Sequence, residues 1–183
     1  ALLNGFDGLV VIDEAYIDFT DGPGWLSQLN NYPNLVVTQT LSKAFGLAGL
    51  RLGIAIAHPT IIKLLHTIKP PYNINTLSQQ QAIEVLSDIE KVNRQIAALL
   101  AERNRVAAYL NELVWVETVF PSDANFLLIR VDDANKRYDA LLAQKVVVRN
   151  RSTQTNCENT LRISIGTRVE NNELMAACNT ILL

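Results

Sequence analysis

Two short stretches of this chain hold residue types that could share one reaction. The first, GLVVIDEAYIDF, is an apolar run that ends in the carboxylates Asp13 and Glu14 and the phenol Tyr16. The second, TQTLSKAFGLAGLRLG, sets Ser42 and Lys43 among small and apolar residues and reaches Arg51 eight positions after the lysine. A carboxylate in a low-dielectric site favours a cationic partner, such as a protonated ring nitrogen. A tyrosine hydroxyl can donate to a phenolate-like oxygen. An amine surrounded by apolar groups is disfavoured as the ammonium and becomes nucleophilic enough to form a Schiff base. A serine hydroxyl and a guanidinium hold a phosphate by charge-assisted hydrogen bonds. Ring-nitrogen acid, Schiff-base lysine and phosphate anchor together describe a pyridoxal phosphate site.

Each residue alone has a plainer role. Asp13 reads as a turn or helix-capping residue, Lys43 as a solvated loop lysine and Arg51 as a member of a surface ion pair, which is worth little. Gly46 and Gly49 read as loop glycines. Only the combination at this spacing turns these residues into a site.

Strands must deliver them. GLVVID (8–13), NLVVTQT (34–40) and LGIAIA (52–57) are continuous apolar runs of strand length, as expected for strands buried on both faces. In open α/β sheets ligands bind beyond the carboxyl ends of the strands. That topology carries Asp13 and Tyr16 past the first strand, and Ser42 and Lys43 past the second. Pro59 opens a helix, PTIIKLLHTI, at a position where proline is tolerated. After the breaker cluster KPPYNIN, TLSQQQAIEVL forms one helix, and Asp88 caps a second over IEKVNRQIAALLAERNRVAAYLNEL, long enough to bridge two domains. Beyond it, VWVE, ANFLLIRV, KVVVRN and TLRISIG are short β-branched runs, with helical stretches over 134–143 and 170–183. The expected division is 1–68 as part of a large, mostly parallel sheet domain, 69–112 as connecting helices and 113–183 as a small C-terminal α/β domain. Three strands under one covering helix would leave wide apolar faces exposed, so the first segment reads as incomplete, with residues expected before Ala1.

Composition narrows the class further. The chain has 183 residues, 49% hydrophobic and 19% charged, with a net charge of −2. Nothing in that balance calls for nucleic acid or an anionic membrane surface. No run is long and apolar enough to span a bilayer, and no leader peptide opens the chain. Cys157 and Cys178 have no metal-ligand spacing and are too few for a disulfide framework, which favours a reducing cytoplasm. His58 and His66 read as ordinary structural or surface residues, and no metal site is expected.

Thr40-Leu-Ser-Lys-Ala-Phe-Gly-Leu-Ala-Gly resembles the signature around the cofactor lysine of the class II pyridoxal phosphate aminotransferases. With DEAYIDF ahead of it and Arg51 after it, the stretch is similar to the histidinol-phosphate aminotransferase branch of that family. The similarity continues through FPSDANFLLIRV, VVVRN and TLRISIGTRVENNELMAA, and it covers nearly the whole chain but only the C-terminal half or so of the family's length. The resemblance implies a fold-type I pyridoxal phosphate transferase. In it, Asp13 pairs with the pyridine nitrogen, Tyr16 meets the phenolic oxygen, and Ser42 and Arg51 grip the phosphate. Lys43 forms the Schiff base and shuttles the proton. It further implies that Arg162 binds the substrate α-carboxylate and that Arg149 contributes at the substrate's phosphate end, with Arg151 as competitor for that role. Asn125 reads as positional, with a place near the substrate entrance as the alternative.

The activity implied is exchange of an amino group between histidinol phosphate plus 2-oxoglutarate and imidazole acetol phosphate plus glutamate. Small amino and keto acids are its partners, and the full-length protein is expected to be a homodimer. Alternatives within the fold are an aromatic aminotransferase or a decarboxylase acting on threonine phosphate. An alternative of another class is a non-catalytic truncated fragment. The family's glycine-containing phosphate loop, ring-stacking aromatic and N-terminal arm have no counterpart in this sequence, so the 183-residue chain alone is expected to be inactive.

Overall fold

A computed structural model describes residues 2–181. The chain forms two compact units, Ala1–Asn93 and Arg94–Leu183. The first contains α1 (Leu2–Gly5), β1 (Val10–Asp13), β2 (Leu35–Thr40), β3 (Gly53–Ala57), α2 (Pro59–Ile68) and α3 (Thr76–Leu86). Helix α4 (Ile89–Asn111) begins there and runs through the boundary. The second unit adds β4 (Val116–Val119), β5 (Phe126–Val131), α5 (Ala134–Ala143), β6 (Arg149–Asn150), β7 (Thr160–Ser164) and α6 (Arg168–Thr180).

The first unit's strands lie in the order β1-β2-β3. β1 runs parallel to β2, setting Val10 opposite Leu35 and Asp13 opposite Thr38. β3 is antiparallel to β2, with Thr40 opposite Gly53. The three strands of this part of the sheet therefore include one parallel and one antiparallel pairing. Central β2 takes the burial, and Leu35 and Val37 are fully enclosed. β1 is open on one face, as three strands under one covering helix are expected to be: Val11 is 60% exposed and Leu9 56%. Alternation puts both on the face that carries Asp13, and this unit supplies too few covering elements to enclose that face.

Local signals set the helix starts. His58 Nδ1 accepts from Thr60 N at 3.4 Å and Pro59 follows as the first residue of α2. Asn75 Oδ1 accepts from Ser78 N at 2.9 Å, and Asp88 Oδ1 from Lys91 N at 3.0 Å. Each cap satisfies a backbone donor that has no partner inside its helix. Among the described residues no helix is long and apolar enough to cross a membrane, and no group of three His, Cys, Asp or Glu side chains could hold a metal.

Glu14 is the buried acid of the first unit, 6% exposed. Its carboxylate accepts from Trp25 N and from Gln39 Nε2 at 2.9 Å, fastening the loop after β1 to the end of β2. Gly24 makes room for it. A Cβ there would stand 2.8 Å from Glu14 Oε1, and its φ of +65° disfavours any L side chain.

In the second unit the strand order is β4-β5-β7-β6, all antiparallel. β5 alternates strictly, with Leu127, Ile129 and Val131 inward and Phe126, Leu128 and Arg130 on the other face. The inward face packs with Val106 and Leu110 of α4, Leu141 of α5, Leu174 of α6 and Trp115, which is 2% exposed. Burial of each such side chain contributes about 1.5–3 kcal/mol. The run KVVVRN pairs only at Arg149–Asn150, because it lies at the sheet edge: Val148 turns into the core while Val147 stays in solvent. The helix expected over 170–183 starts earlier, at Arg168, behind a capping box between Thr167 and Glu170. Its expected end at residues 182–183, like Ala1, lies outside the described residues. Cys157 and Cys178 are free, and burial pushes the Cys178 thiol up to about 12.

A polar knot ties α4 to the turn before α6. Glu102 accepts from Arg105 Nη2 at 2.6 Å and Nε at 3.0 Å, and from Asn171 Nδ2 at 2.9 Å. Asn171, itself buried, also bonds both the N–H and the C=O of Gly166 at 3.0 Å. Hydrogen bonds from Arg105 and Asn171 hold the Glu102 carboxyl down to about 2.

Two outcomes follow, and the two tryptophans, one per unit, read them separately. Gly24→Ala is expected to destabilise the first unit by about 1–2 kcal/mol, seen as an earlier denaturant transition in Trp25 fluorescence. For Glu102 the folded pKa lies below the unfolded value of 4.5, so its stabilisation is present above about 4.5 and is lost as pH falls toward 2. The Glu102→Gln variant should therefore be less stable than the wild type at pH 7, by Trp115 fluorescence, and the gap should close between pH 4.5 and 2.

Candidate active site

The candidate residues fall in two groups, one in each unit. In the first, Asp13 is the last residue of β1. Its Oδ1 accepts from Ala15 N at 3.0 Å and from the Thr38 hydroxyl at 3.4 Å. The plain turn role is thus real, and it engages one carboxylate oxygen; among the described residues no hydrogen bond is made by Oδ2. The turn continues through Ile17 N to Glu14 O at 3.1 Å and presents Tyr16. The Lys43 Nζ stands 5.3 Å from the centre of the Tyr16 ring. The ends of β1 and β2 therefore bring the phenol and the amine together.

The loop from Ser42 to Arg51 folds back on the end of β2. Leu41 N donates to Leu52 O at 3.3 Å, and Leu47 N to Leu41 O at 2.9 Å. Leu41 is buried beneath the loop. Gly46 supplies the positive φ, +69°, that lets the chain reverse. The Thr40 hydroxyl accepts from Ser42 N at 3.1 Å, lies 2.9 Å from Ser42 Oγ and donates to Leu52 O at 3.2 Å. One side chain thereby joins both ends of the loop. Arg51 closes the turn in the left-handed region, φ 54°, with Nη1 donating to Ala48 O at 3.2 Å. Such a conformation in a non-glycine residue costs about 1 kcal/mol or more.

One expectation is corrected. The sequence suggests an amine buried among apolar neighbours, yet Lys43 is exposed. The small residues around it make a tight loop and do not form a hydrophobic enclosure.

In the second unit, Arg162 sits on β7 directly between Leu128 of β5 and Arg149 of β6. Directly opposed residues point to the same face, so two guanidiniums share the side of the sheet away from the core. Like charges opposed across strands are destabilising, and among the described residues no carboxylate lies within ion-pair distance of either arginine. The Arg162 guanidinium carbon is 5.0 Å from the centre of the Phe126 ring, and its Nε is buried without a hydrogen-bond partner. Arg151 is half-buried and its backbone N donates to Thr160 O at 2.9 Å. Asn125 accepts from Ile165 N at 2.9 Å through its carbonyl.

Thr38, Thr40 and Phe126 escape the sequence reading. The two threonines are also good strand formers, and nothing in an apolar run marks a hydroxyl as a tie between loops. Phe126 stands in ANFLLIRV as one more strand residue, and only the β5–β7 register shows which arginine it faces.

A profile of the family described as Aminotransferase class I and II matches residues 1–181. The histidinol-phosphate aminotransferase of Flavobacterium johnsoniae is 55% identical over 170 residues, which is 93% of this chain and 49% of that protein. The crystal structure of the histidinol-phosphate aminotransferase from Clostridium acetobutylicum matches with a TM-score of 0.88 at 27% identity, over 95% of this chain and 54% of that one. The enzyme of the same name from Sinorhizobium meliloti, in complex with pyridoxal-5'-phosphate, shares the fold with a TM-score of 0.85 at 24% identity, over 95% of this chain and 48% of that one. The chain spans about half the length of the curated relatives it matches. On the profile match along its length, and on mixed α/β sheets that superpose on these enzymes, the chain belongs to the class I and II aminotransferases and has the fold-type I architecture of the pyridoxal-phosphate-dependent enzymes.

Proposed function

We propose that this chain carries the lysine-bearing part of a histidinol-phosphate aminotransferase. The reaction exchanges an amino group between histidinol phosphate plus 2-oxoglutarate and imidazole acetol phosphate plus glutamate, in two half-reactions that use one site in turn. The observation that carries the reading is the approach of Lys43 to Tyr16 beside Asp13, at the ends of two parallel strands.

The donor set fits pyridoxal phosphate. A carboxylate with one unengaged oxygen, a phenol, a primary amine, a hydroxyl and a guanidinium are each complementary to a different part of that molecule. When bound, the cofactor supplies an electron sink for the pair left behind as the substrate's α-proton departs. Asp13 holds the proton on the ring nitrogen. Tyr16 orients the ring through its phenolic oxygen, and Ser42 and Arg51 bind the phosphate by charge-assisted hydrogen bonds. Lys43 Nζ would take the proton from the substrate's α-carbon and hold it for delivery to the cofactor carbon bonded to the transferred nitrogen. Its exposure means that water must be excluded by groups other than those packed around it in this unit.

Arg149 and Arg162 act as one seat for an anion. A guanidinium binds a carboxylate bidentately, and two opposed guanidiniums suit a dianion such as a phosphate monoester better than a single carboxylate. The pair therefore favours a phosphate-bearing substrate over an aromatic amino acid. A decarboxylase acting on threonine phosphate would share that anion, and the products separate it from a transaminase.

Two measurements test the reading. Borohydride reduction in the presence of pyridoxal phosphate should add the cofactor mass to the peptide containing Lys43, and Lys43→Ala should abolish both the label and, in the intact enzyme, amino transfer by about 10²–10⁴-fold or more; a label on another lysine overturns the assignment. Arg149→Gln should shrink the preference for histidinol phosphate over histidinol by about tenfold or more, the loss of a charged hydrogen bond of about 1.5–3 kcal/mol. An unchanged preference there, with a loss in Arg151→Gln, transfers the role to Arg151.

A further inference from the structure

We propose that Phe126 is a positioning residue for Arg162, and that its ring, more than any hydrogen bond, sets the plane in which the guanidinium meets a substrate anion. The inference rests on the reading of Arg162 as an anion-binding residue.

Arginines that bind carboxylates need a fixed plane, because both N–H groups of the fork must reach two oxygens at once. In folded proteins that plane is usually set by a carboxylate or a carbonyl behind the guanidinium. Arg137 in this same unit shows the usual device: its Nε and Nη2 donate to Asp132 at 2.9 and 2.8 Å, and it also stands 5.1 Å from the Trp115 ring. Arg162 has the ring without the carboxylate. Its guanidinium carbon lies 5.0 Å from the Phe126 centroid, inside the range in which a cation is held by the ring face. Its Nε is buried with no partner, and no hydrogen bond from its Nη atoms to a described residue is made. The sheet register explains why the ring is the support. Arg162 is opposed by Leu128 on one side and by Arg149 on the other, neither of which can accept a hydrogen bond through its side chain. Phe126, two residues before Leu128 on the same face, is the diagonal neighbour, within reach of an aromatic side chain. Its ring also offsets part of the repulsion between the two arginines, since its face presents negative charge to the nearer one.

This arrangement has a functional consequence. A supporting carboxylate would neutralise Arg162 and compete with the substrate. An aromatic face holds the guanidinium in place and leaves its full charge and its hydrogen-bond donors to the ligand.

The test compares Phe126→Leu and Phe126→Tyr in the intact holoenzyme. Phe126→Leu should raise KM for 2-oxoglutarate by about 3- to 30-fold, the range of a cation–π contact, with kcat changed less than KM. Phe126→Tyr keeps the ring and should stay near the wild type. Phe126→Met serves as a second ring-free variant should the leucine variant fail to fold, and unchanged Trp115 fluorescence confirms the fold of each. A second readout does not require turnover: the Arg162 Nε–H resonance in ¹⁵N-labelled protein should respond to added 2-oxoglutarate at lower concentration in the wild type than in Phe126→Leu. If Phe126→Leu leaves KM and that titration unchanged while Arg162→Gln raises KM, the positioning role is overturned and the anion-binding role stands. If Arg162→Gln also leaves KM unchanged, the reading of the site itself fails.

Discussion

The parallel pairing of β1 with β2 is the constraint on which the grouping of Asp13, Tyr16 and Lys43 depends. It has only four residue pairs, from Val10 with Leu35 to Asp13 with Thr38. Because both strands run the same way, both deliver their following loops to the same end of the sheet. An antiparallel pair would send Asp13 and Lys43 to opposite ends. A slip of one residue would turn Asp13 to the other face and bring Glu14, whose carboxylate now fastens the loop from inside, into its place. Adjacent acids thus have opposite fates set by alternation alone. Asp13 faces solvent, and Glu14 is enclosed and bonded to Trp25 N and Gln39.

The second unit solves a different problem. Its sheet has one face committed to the core, and the β5–β7–β6 register decides which residues meet on the other. Leu128, Arg162 and Arg149 form one row. The core beneath gives this row its rigidity: Ile129, Leu161 and Ile163 are almost fully enclosed between the arginine-bearing positions. A site built on strands backed by such packing is held more tightly than one carried on loops. Asn171 and Glu102 extend that rigidity to the end of β7, by tying the Gly166 turn to α4.

Much of the secondary structure is legible in the residues, since the signals are local. Pro59, Asn75, Asp88 and Asp133 each mark a helix start by side-chain or ring chemistry that acts within a few positions. The approach of Tyr16 to Lys43 is legible too, because parallel strands deliver their following loops to one end of the sheet. What the residues do not disclose depends on pairing across the chain. The antiparallel course of β3 and the tie of Glu14 to Trp25 and Gln39 follow from how distant segments meet. The valines of KVVVRN have the composition of a strand, yet the ladder begins only at Arg149, after all three. Lys43 illustrates the same limit, since apolar neighbours in sequence form a loop around it without burying it.

The unequal cores of the two units bear on what a single measurement of this chain reports. Leu9, Val11, Ile54, Leu64 and Ile68 are all exposed in the first unit, while the second closes a core around Trp115 on a four-stranded sheet. Such halves need not unfold together. The chain is then not a two-state system, and one melting temperature would average two transitions of different size. Local openings would also be graded, with amides of β1 exchanging with solvent well before those of β5 and β7. Lys43 would therefore lie in the half that opens first, and Arg149 and Arg162 in the half that opens last.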